Sequence, residues 1–137
     1  MKFIKTNILD LIIIEPSVFG DNRGYFLESF NKKKFEDALG NISFVQDNES
    51  KSSKGVLRGL HFQKPPFEQA KLVRCVEGEV LDVVVDIRKN SKTYGKHLSI
   101  LLSGENKRQL FVPRGFAHGF LVLSDSATFS YKVDNYY

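Results

Sequence analysis

Residues 70–87, with the sequence AKLVRCVEGEVLDVVVDI, contain two apolar runs rich in Val that are separated by a single glycine. β-branched residues favour strands, and Gly78 is a natural tight-turn residue between two of them. This stretch therefore predicts a pair of adjacent antiparallel strands. Similar short runs, bounded by Gly, Pro, Asn or Asp, predict strands at 8–14, 24–30, 43–48, 56–62, 70–77, 79–87, 98–102, 109–112, 118–123 and 127–132.

One segment has helical rather than strand periodicity. In residues 31–39, Asn31 is a suitable N-cap, and Phe35, Ala38 and Leu39 recur at helical spacing before Gly40. About ten short strands with at most one or two helices predict an all-β barrel or a double-sheet sandwich. The length of 137 residues predicts that residues 1–137 form one domain.

The composition argues against several classes of function. A formal net charge of +4 suits an anionic partner, but it is too small to predict binding to nucleic acid. The apolar run at 8–14 is too short for a membrane span and is interrupted by Asp10. The single cysteine, Cys75, lies in an apolar run and is expected to be a buried structural thiol. These features predict a cytoplasmic protein with neither nucleic acid nor membrane as a partner.

Two motifs carry candidate chemistry. The first is RGLHFQ at 58–63, where strict strand alternation would put Arg58 and His61 on opposite faces unless a bulge intervenes. The second is PRGFAHGF at 113–120, which places His118 in an apolar wall where desolvation disfavours the charged imidazole. A third feature is a set of cationic side chains suited to phosphate groups, namely Arg23, Arg58, Lys71 and Arg74.

Together the motifs resemble the two cupin motifs. The second motif matches Pro-x-Gly-x-x-His, whereas the first has His61-x-Gln63 in place of the expected His-x-His. Glutamine is a poor ligand for first-row metals, so a catalytic metal is disfavoured and His61 becomes available as a proton acceptor. The expected fold is a cupin-like jelly-roll β-barrel of two antiparallel sheets with one or two short helices.

At these residues the chain resembles the dTDP-4-dehydrorhamnose 3,5-epimerase family. The resemblance runs almost from end to end, through FGDNRGYFLE at 19–28, QDNES at 46–50, GVLRGLHFQKPP at 55–66, KLVRC at 71–75, DVVVDIR at 82–88, SKTYG at 91–95 and 113–120. It implies a homodimeric, metal-independent isomerase without a cofactor. Its expected reaction is epimerisation at C3 and C5 of a dTDP-linked 4-keto-6-deoxy sugar.

The resemblance also implies roles for individual residues. His61 corresponds to the base, Tyr131 to the group that returns a proton from the opposite face, and Lys71 to the cation that stabilises the enolate. The implied substrate-binding residues are Arg58 and His118 in the sugar pocket, Gln46 and Asn48 in the nucleotide pocket, and Arg23 and Glu28 contributed by the neighbouring subunit.

Family members usually continue beyond the position of Tyr137, and that segment carries the aspartate that pairs with the catalytic histidine. Asp82 and Asp86 on a nearby strand are the candidates to replace it. Other hypotheses stay open at this point: an epimerase acting on one carbon, a cupin that binds a dTDP-sugar without turnover, and a metal-dependent cupin using His61, Glu68 and His118. Sugar 3,4-ketoisomerases are also short cupins, but the RGLHFQ string favours the epimerase.

Overall fold

The computed structural model describes residues 1–136, which form antiparallel strands and one short helix. The strands are β1 (Lys2–Lys5), β2 (Ile12–Glu15), β3 (Val18–Asp21), β4 (Gly24–Leu27), β5 (Gln46–Ser53), β6 (Leu57–His61), β7 (Lys71–Glu77), β8 (Glu79–Asp86), β9 (His97–Ser103), β10 (Gln109–Val112), β11 (Phe116–Val122) and β12 (Ser126–Val133), and helix α1 (Lys32–Leu39) lies between β4 and β5.

The strands form two principal sheets. The larger has the order β1-β2-β10-β7-β12-β5, the smaller has the order β6-β11-β8-β9, and every pair of neighbours is antiparallel. Strands β3 and β4 form a separate hairpin. The predicted fold class, an all-β cupin-like jelly roll of two antiparallel sheets, is confirmed.

The core lies between the two sheets because each strand turns alternate side chains inward. In β8 the residues at 80, 82, 84 and 86 are buried, and those between them are only partly covered. Val73, Val84, Leu110 and Phe129 belong to the same buried cluster. Cys75 is part of it as well, and burial raises the pKa of its thiol to about 11. The prediction of a buried structural cysteine is therefore confirmed.

Helix α1 packs against the outer face of the larger sheet and closes a second apolar cluster around Phe35. The side chain of Asn31 accepts a hydrogen bond from the backbone N–H of Lys34 at 3.1 Å, which is the predicted N-cap. Gly40 ends the helix with φ of 89°, a conformation that favours glycine. No helix among residues 1–136 has the length and apolar character needed to cross a bilayer.

The boundaries of some elements differ from the sequence prediction. The strand predicted at 24–30 ends at Leu27 and pairs with β3, which was not predicted, and β1 was also missed. The strand predicted at 43–48 is β5, which extends to Ser53 through a polar segment of Glu, Lys and Ser. Its inward positions carry polar side chains because they face the candidate site, so hydrophobic alternation does not reveal this strand.

Candidate active site

The inner face of the larger sheet carries four of the predicted site residues. Lys71 lies two residues before the buried Val73 on β7, and Tyr131 on β12 is the cross-strand partner of Val73. Asn48 on β5 is in turn the partner of Tyr131, and Gln46 follows at the next position on that face. Since directly paired residues and residues two apart share a face, all four side chains point between the sheets.

These four side chains contact one another in pairs. The Gln46 amide donates to Asn48 Oδ1 at 2.9 Å, and Lys71 Nζ lies 5.6 Å from the centre of the Tyr131 ring. Burial lowers the pKa of Lys71, while the nearby Asp82 carboxylate partly opposes that shift. The ammonium is therefore poorly solvated and lies against an aromatic face, which strengthens its interaction with any negative charge that forms beside it.

The inner face of the smaller sheet carries the other three residues. His118 on β11 is buried, and its partner on β6 is His61. Phe120, two residues further along β11, is paired with Arg58. Three steps along β6 thus correspond to two along β11, so a β-bulge brings Arg58 and His61 to the same face. Strict alternation, which would separate Arg58 from His61, is wrong for this strand.

Two glycines make the bulge possible. Gly59 has φ of 107°, and a Cβ at this position would lie 2.6 Å from the carbonyl oxygen of His118. On the facing strand, a Cβ at Gly119 would lie 2.6 Å from the carbonyl oxygen of Arg58. The close backbone approach that turns Arg58 and His61 inward therefore requires glycine on both strands.

The most deeply buried polar contact of the site joins His118 to Asp82. Nε2 of His118 lies 2.8 Å and 3.0 Å from the two carboxylate oxygens, and Asp82 is completely buried. Burial raises the pKa of Asp82, and the attraction of His118 and Lys71 only partly offsets this effect. The ring of His118 also stacks on Phe129 with centroids 6.2 Å apart, so both an aromatic side chain and a carboxylate fix its orientation.

A hydrogen bond beside the pocket joins the two sheets. Nε of Arg58 donates to the Ser52 hydroxyl at 2.7 Å, which links β6 of the smaller sheet to β5 of the larger sheet. His61 and Lys71 line one small cavity with a volume of about 20 Å³. The predicted catalytic residues of β6 and β7 therefore share this cavity, and Tyr131 of β12 lies beside Lys71.

Three cationic or acidic residues singled out in the sequence lie away from this space. Arg23 is in the β3–β4 turn, pairs with Asp21 at 2.7 Å, and has a side chain that is 87% exposed. Glu28 pairs with Lys34 on α1 at 3.0 Å. Arg74 is three residues from Lys71 on β7, so it points to the outer face of the sheet. None of these three residues lines the cavity that His61 and Lys71 share.

The carboxylate expected beside His61 is not supplied by either candidate. Asp82 is paired with His118, and Asp86 is held by Arg88, Ser91 and Thr93. Within residues 1–136, no carboxylate forms a hydrogen bond with the His61 ring. The Asp82 contact to His118 was not predicted from the sequence. The sequence does contain an indication of it, since Asp82 occupies an inward position of an apolar strand and needs a partner there.

The geometry does not favour the alternative of a metal bound by His61, Glu68 and His118. Across residues 1–136, no three side chains of His, Cys, Asp or Glu are grouped closely enough to hold a metal ion. In addition, Nε2 of His118 is already engaged by Asp82. The residues that the fold does assemble, two imidazoles, a phenol, an ammonium and a guanidinium, are suited to proton transfer and to binding an anionic substrate.

A jelly roll with this site between its sheets defines a cupin-like protein built for acid–base chemistry on an anionic ligand. The family model for dTDP-4-dehydrorhamnose 3,5-epimerase matches residues 5–137, and the chain belongs to that family. A curated relative of this name from Shigella flexneri is 64% identical over 138 aligned positions, which cover 100% of this chain and 76% of the relative.

Solved structures agree with this assignment. The crystal structure of dTDP-4-dehydrorhamnose 3,5-epimerase from Elizabethkingia anophelis has a TM-score of 0.95 and 62% identity, covering 100% of this chain and 75% of that one. A dTDP-6-deoxy-D-glucose-3,5-epimerase from Legionella pneumophila, in complex with dTDP-4-keto-L-rhamnose, has a TM-score of 0.95 and 55% identity, covering 99% and 72%. The chain thus spans about three quarters of the length of these relatives.

Proposed function

We propose that the protein converts dTDP-4-dehydro-6-deoxy-D-glucose into dTDP-4-dehydro-L-rhamnose by inverting C3 and C5 of the sugar. Family membership and the ligand of the Legionella relative support the reaction and the substrate class. The observation that carries the proposal is the position of His61 and Tyr131. His61 is on the smaller sheet and lines a cavity with Lys71, and Tyr131 is on the larger sheet with its ring 5.6 Å from Lys71 Nζ, which supports a base and an acid supplied from different sheets.

In the proposed mechanism, His61 is the base. C3 and C5 both flank the C4 ketone, so the proton on each carbon is acidic enough to be removed by an imidazole. The C–H bond breaks, and its electron pair forms a C=C bond to C4. The negative charge then collects on the C4 oxygen, which gives an enolate. General base catalysis of this kind contributes typically about 10²–10⁴-fold to the rate.

Lys71 and Tyr131 complete the proton transfer. The Lys71 ammonium, already poorly solvated, stabilises the enolate oxygen, and a preorganised charge of this kind is worth about 3 kcal/mol. The phenol of Tyr131 then donates its proton to the opposite face of the same carbon and regains one from solvent, while His61 releases to solvent the proton that it removed. The same sequence of steps at the second carbon gives the double epimer.

Substrate binding is assigned to the polar rim of the pocket. Arg58, oriented by Ser52, lines the sugar pocket, and Gln46 with Asn48 presents amides to the nucleotide. His118, fixed by Asp82, forms a wall of the sugar pocket.

We propose further that two subunits assemble so that Arg23 and Glu28 of one bind the nucleotide in the pocket of the other. The β3–β4 hairpin supports this idea because four of its apolar side chains are exposed: Val18 44%, Phe19 67%, Tyr25 60% and Phe26 70%. Exposed aromatic residues grouped on one hairpin are characteristic of an interaction surface. The hairpin would then carry Arg23, which has no access to its own pocket, to the neighbouring one.

Incubation with dTDP-4-keto-6-deoxyglucose in D₂O tests the reaction. We expect deuterium at both C3 and C5 for the wild type. His61→Ala should abolish the exchange while leaving dTDP affinity within about twofold, and the control His97→Ala, at an exposed histidine on β9, should exchange normally. Label at one carbon would support the single-carbon epimerase instead, and dTDP binding without any exchange would support a binding-only protein.

Mixing inactive variants tests the shared site. Arg23→Ala and His61→Ala should each lack activity as purified dimers, whereas mixed dimers contain one site with all of its residues intact. Statistical mixing gives about half mixed dimers with one functional site in two, so we expect about a quarter of wild-type activity to return. If the mixture stays inactive although light scattering shows dimers that exchange subunits, then each pocket uses its own hairpin.

A further inference from the structure

The hairpin formed by β3 and β4 has two different faces. Residues paired across an antiparallel ladder share a face, so Phe19 and its partner Phe26 lie on one side. Tyr25 and Leu27, which flank Phe26, lie on the other side. There they line a small cavity together with Lys107, two residues before β10. The hairpin therefore rests on its own subunit through the Tyr25 face, and the face with Phe19 and Phe26 stays open.

Lys107 makes the polar contact between this face and the rest of the subunit. Its Nζ lies 3.7 Å from the centre of the Tyr25 ring, within the range of a cation–π interaction. Among residues 1–136, no hydrogen bond or ion pair joins the segment 18–27 to the rest of the chain, and no residue of the segment belongs to either buried apolar cluster. The orientation of the hairpin on its subunit therefore depends largely on the contact between Lys107 and Tyr25.

The turn before β10 holds Lys107 in place. Its backbone N–H donates to the Ser103 carbonyl at 3.0 Å, and its Nζ donates to the Gly104 carbonyl at 2.6 Å. The Asn106 amide closes the same turn, because it donates to the Leu101 carbonyl at 2.9 Å while its Oδ1 accepts from the backbone N–H of Ser103 at 3.1 Å. The ammonium is therefore fixed at the point where the hairpin rests.

Two backbone features show that this turn is constrained. Lys107 has φ of 54°, a left-handed conformation that is uncommon for residues other than glycine. A Cβ at Gly104 would lie 2.7 Å from the Val76 carbonyl oxygen, so the turn is packed against the end of β7. Such a conformation persists only where the surroundings impose it, and residues of this kind concentrate at functional positions. Since glycine would adopt it at lower cost, the presence of lysine points to a role for its side chain.

We propose that Lys107 is a positioning residue for the substrate site of the neighbouring subunit. Its ammonium fixes the Tyr25 face of the hairpin and thereby sets where Arg23, in the turn of the same hairpin, enters the pocket of the partner chain. Arg23 binds the nucleotide and does not touch the reacting carbons, so Lys107 affects substrate affinity rather than proton transfer. This inference rests on the shared site of the proposed function.

Steady-state kinetics tests the role of Lys107. Lys107→Met keeps the length of the side chain and removes its charge. We expect KM to rise about two- to fivefold, the effect of an exposed cation–π contact, with kcat nearly unchanged. Lys107→Arg, whose guanidinium can also lie on an aromatic ring, should restore KM. Lys54→Met, at an exposed lysine in the turn after β5, removes the same charge elsewhere and should leave both constants unchanged.

Substitutions at Tyr25 test whether the contact itself is responsible. Tyr25→Phe should keep KM near the wild-type value because it retains the ring, whereas Tyr25→Leu should raise KM as Lys107→Met does. The double variant with Lys107→Met and Tyr25→Leu should show no further increase, since both changes remove one interaction. A double variant whose KM rises by the product of the two single effects would show that the residues act independently, against the proposal.

Mixed dimers show in which subunit Lys107 acts. When Arg23→Ala and His61→Ala chains are combined, the intact site joins the pocket of the Arg23→Ala chain to the hairpin of the His61→Ala chain. Lys107→Met added to the His61→Ala chain should therefore raise KM of the restored activity, and the same change in the Arg23→Ala chain should not. An unchanged KM in the first case, or a raised KM in the second, would overturn the inference alone. A mixture that restores no activity would overturn the shared site and the inference with it.

Discussion

Strand β8 carries two aspartates that occupy equivalent positions and have opposite electrostatic properties. Asp82 and Asp86 are four residues apart, point to the same side of the sheet and are completely buried. Asp82 has one side-chain partner, the imidazole of His118. Asp86 accepts hydrogen bonds from Ser91 at 2.7 Å, from Thr93 at 2.6 Å and from the side chain and backbone of Arg88.

The two pKa shifts follow from the number of donors. Burial pushes the pKa of both carboxyls upward, and at Asp82 that effect prevails. At Asp86 the hydrogen bonds from Arg88, Thr93 and Ser91 outweigh burial and leave the pKa well below its usual range. The difference teaches that the same residue type on one strand can be a fixed structural anion at one end and, bonded to a single imidazole, a carboxyl with a raised pKa at the other.

The contacts at the Asp86 end of β8 extend beyond the aspartate itself. Arg88 contacts Asp10 at 2.9 Å and the carbonyl of Leu9 at 2.8 Å, and its guanidinium lies 4.8 Å from the centre of the Phe116 ring. It thereby links the segment between β1 and β2 to the start of β11. The other end of β8 points into the candidate active site, where Asp82 is bonded to the imidazole of His118.

The largest effect is expected from Asp86→Ala. This change leaves the guanidinium of Arg88 and the hydroxyls of Ser91 and Thr93 without the carboxylate that accepts their hydrogen bonds. Breaking a buried charge pair typically costs about 3–5 kcal/mol. Urea denaturation should show a loss of this size, whereas Asp37→Ala on the exposed face of α1 should stay within about 0.5 kcal/mol of wild type. A loss below about 1 kcal/mol at Asp86 would remove the distinction between the two aspartates.

Asp82→Asn should reduce catalysis rather than stability. The amide has nearly the same shape, but it cannot hold the His118 ring through a charge-assisted bond, so the orientation of the ring in the pocket wall is lost. We expect kcat to fall about 10- to 100-fold, with a change in unfolding free energy below about 1.5 kcal/mol at about pH 4, the pH at which the raised pKa of Asp82 begins to contribute. Steady-state kinetics and denaturation measure the two quantities. Asp125→Asn in the exposed turn before β12 serves as the control.

The sequence predicts the fold better than it predicts these contacts. Val-rich runs around Gly78 identify β7 and β8 with nearly correct boundaries because apolar alternation reports burial directly. The bulge at Gly59 escapes such reasoning, since it depends on the approach of Gly119 from a strand about sixty residues away. For the same reason, strict alternation placed Arg58 and His61 on opposite faces, although their presence in one motif was recognised.

Assignment of partners to buried charges is similarly limited. The positions of Asp82 and Asp86 on an apolar strand indicate that each needs a partner, but both were considered only as substitutes beside His61. Their real partners come from β11 and from the segment after β8, and only the register of the sheet determines which is which. Exposure of the β3–β4 hairpin likewise depends on tertiary packing and is not encoded in its local pattern.

A smaller loss of stability is expected from Thr93→Val, which removes one of the donors to Asp86 and keeps the shape of the side chain. A hydrogen bond to a charged group contributes about 1.5–3 kcal/mol, so we expect a loss of about 2 kcal/mol by urea denaturation. Thr128→Val on β12, where the hydroxyl lies outside this network, should change stability by less than about 0.5 kcal/mol. Equal effects at the two threonines would show that Asp86 does not depend on its individual donors.

The smallest effect, and the one that contrasts the two aspartates most directly, is the dependence of stability on pH. Asp86 has a lowered pKa, so its contribution is complete above about pH 4, the unfolded value, and is lost as the pH falls further. Asp82 has a raised pKa, so the native state holds its proton more tightly than the unfolded state does. Stability attributable to Asp82 therefore declines as the pH rises from about 4 toward the native pKa.

Asp82→Asn should remove this second dependence and leave the first. The unfolding free energy of the variant relative to wild type should increase above about pH 4, by at most about 1.4 kcal/mol for each pH unit over which only the native wild type keeps the proton. Urea denaturation of both proteins between pH 3 and pH 8 measures the difference, and both should lose stability together below pH 4 because each retains Asp86. A difference that stays constant with pH would mean that Asp82 titrates alike in the native and unfolded states, since only unequal proton binding can give the two curves different slopes.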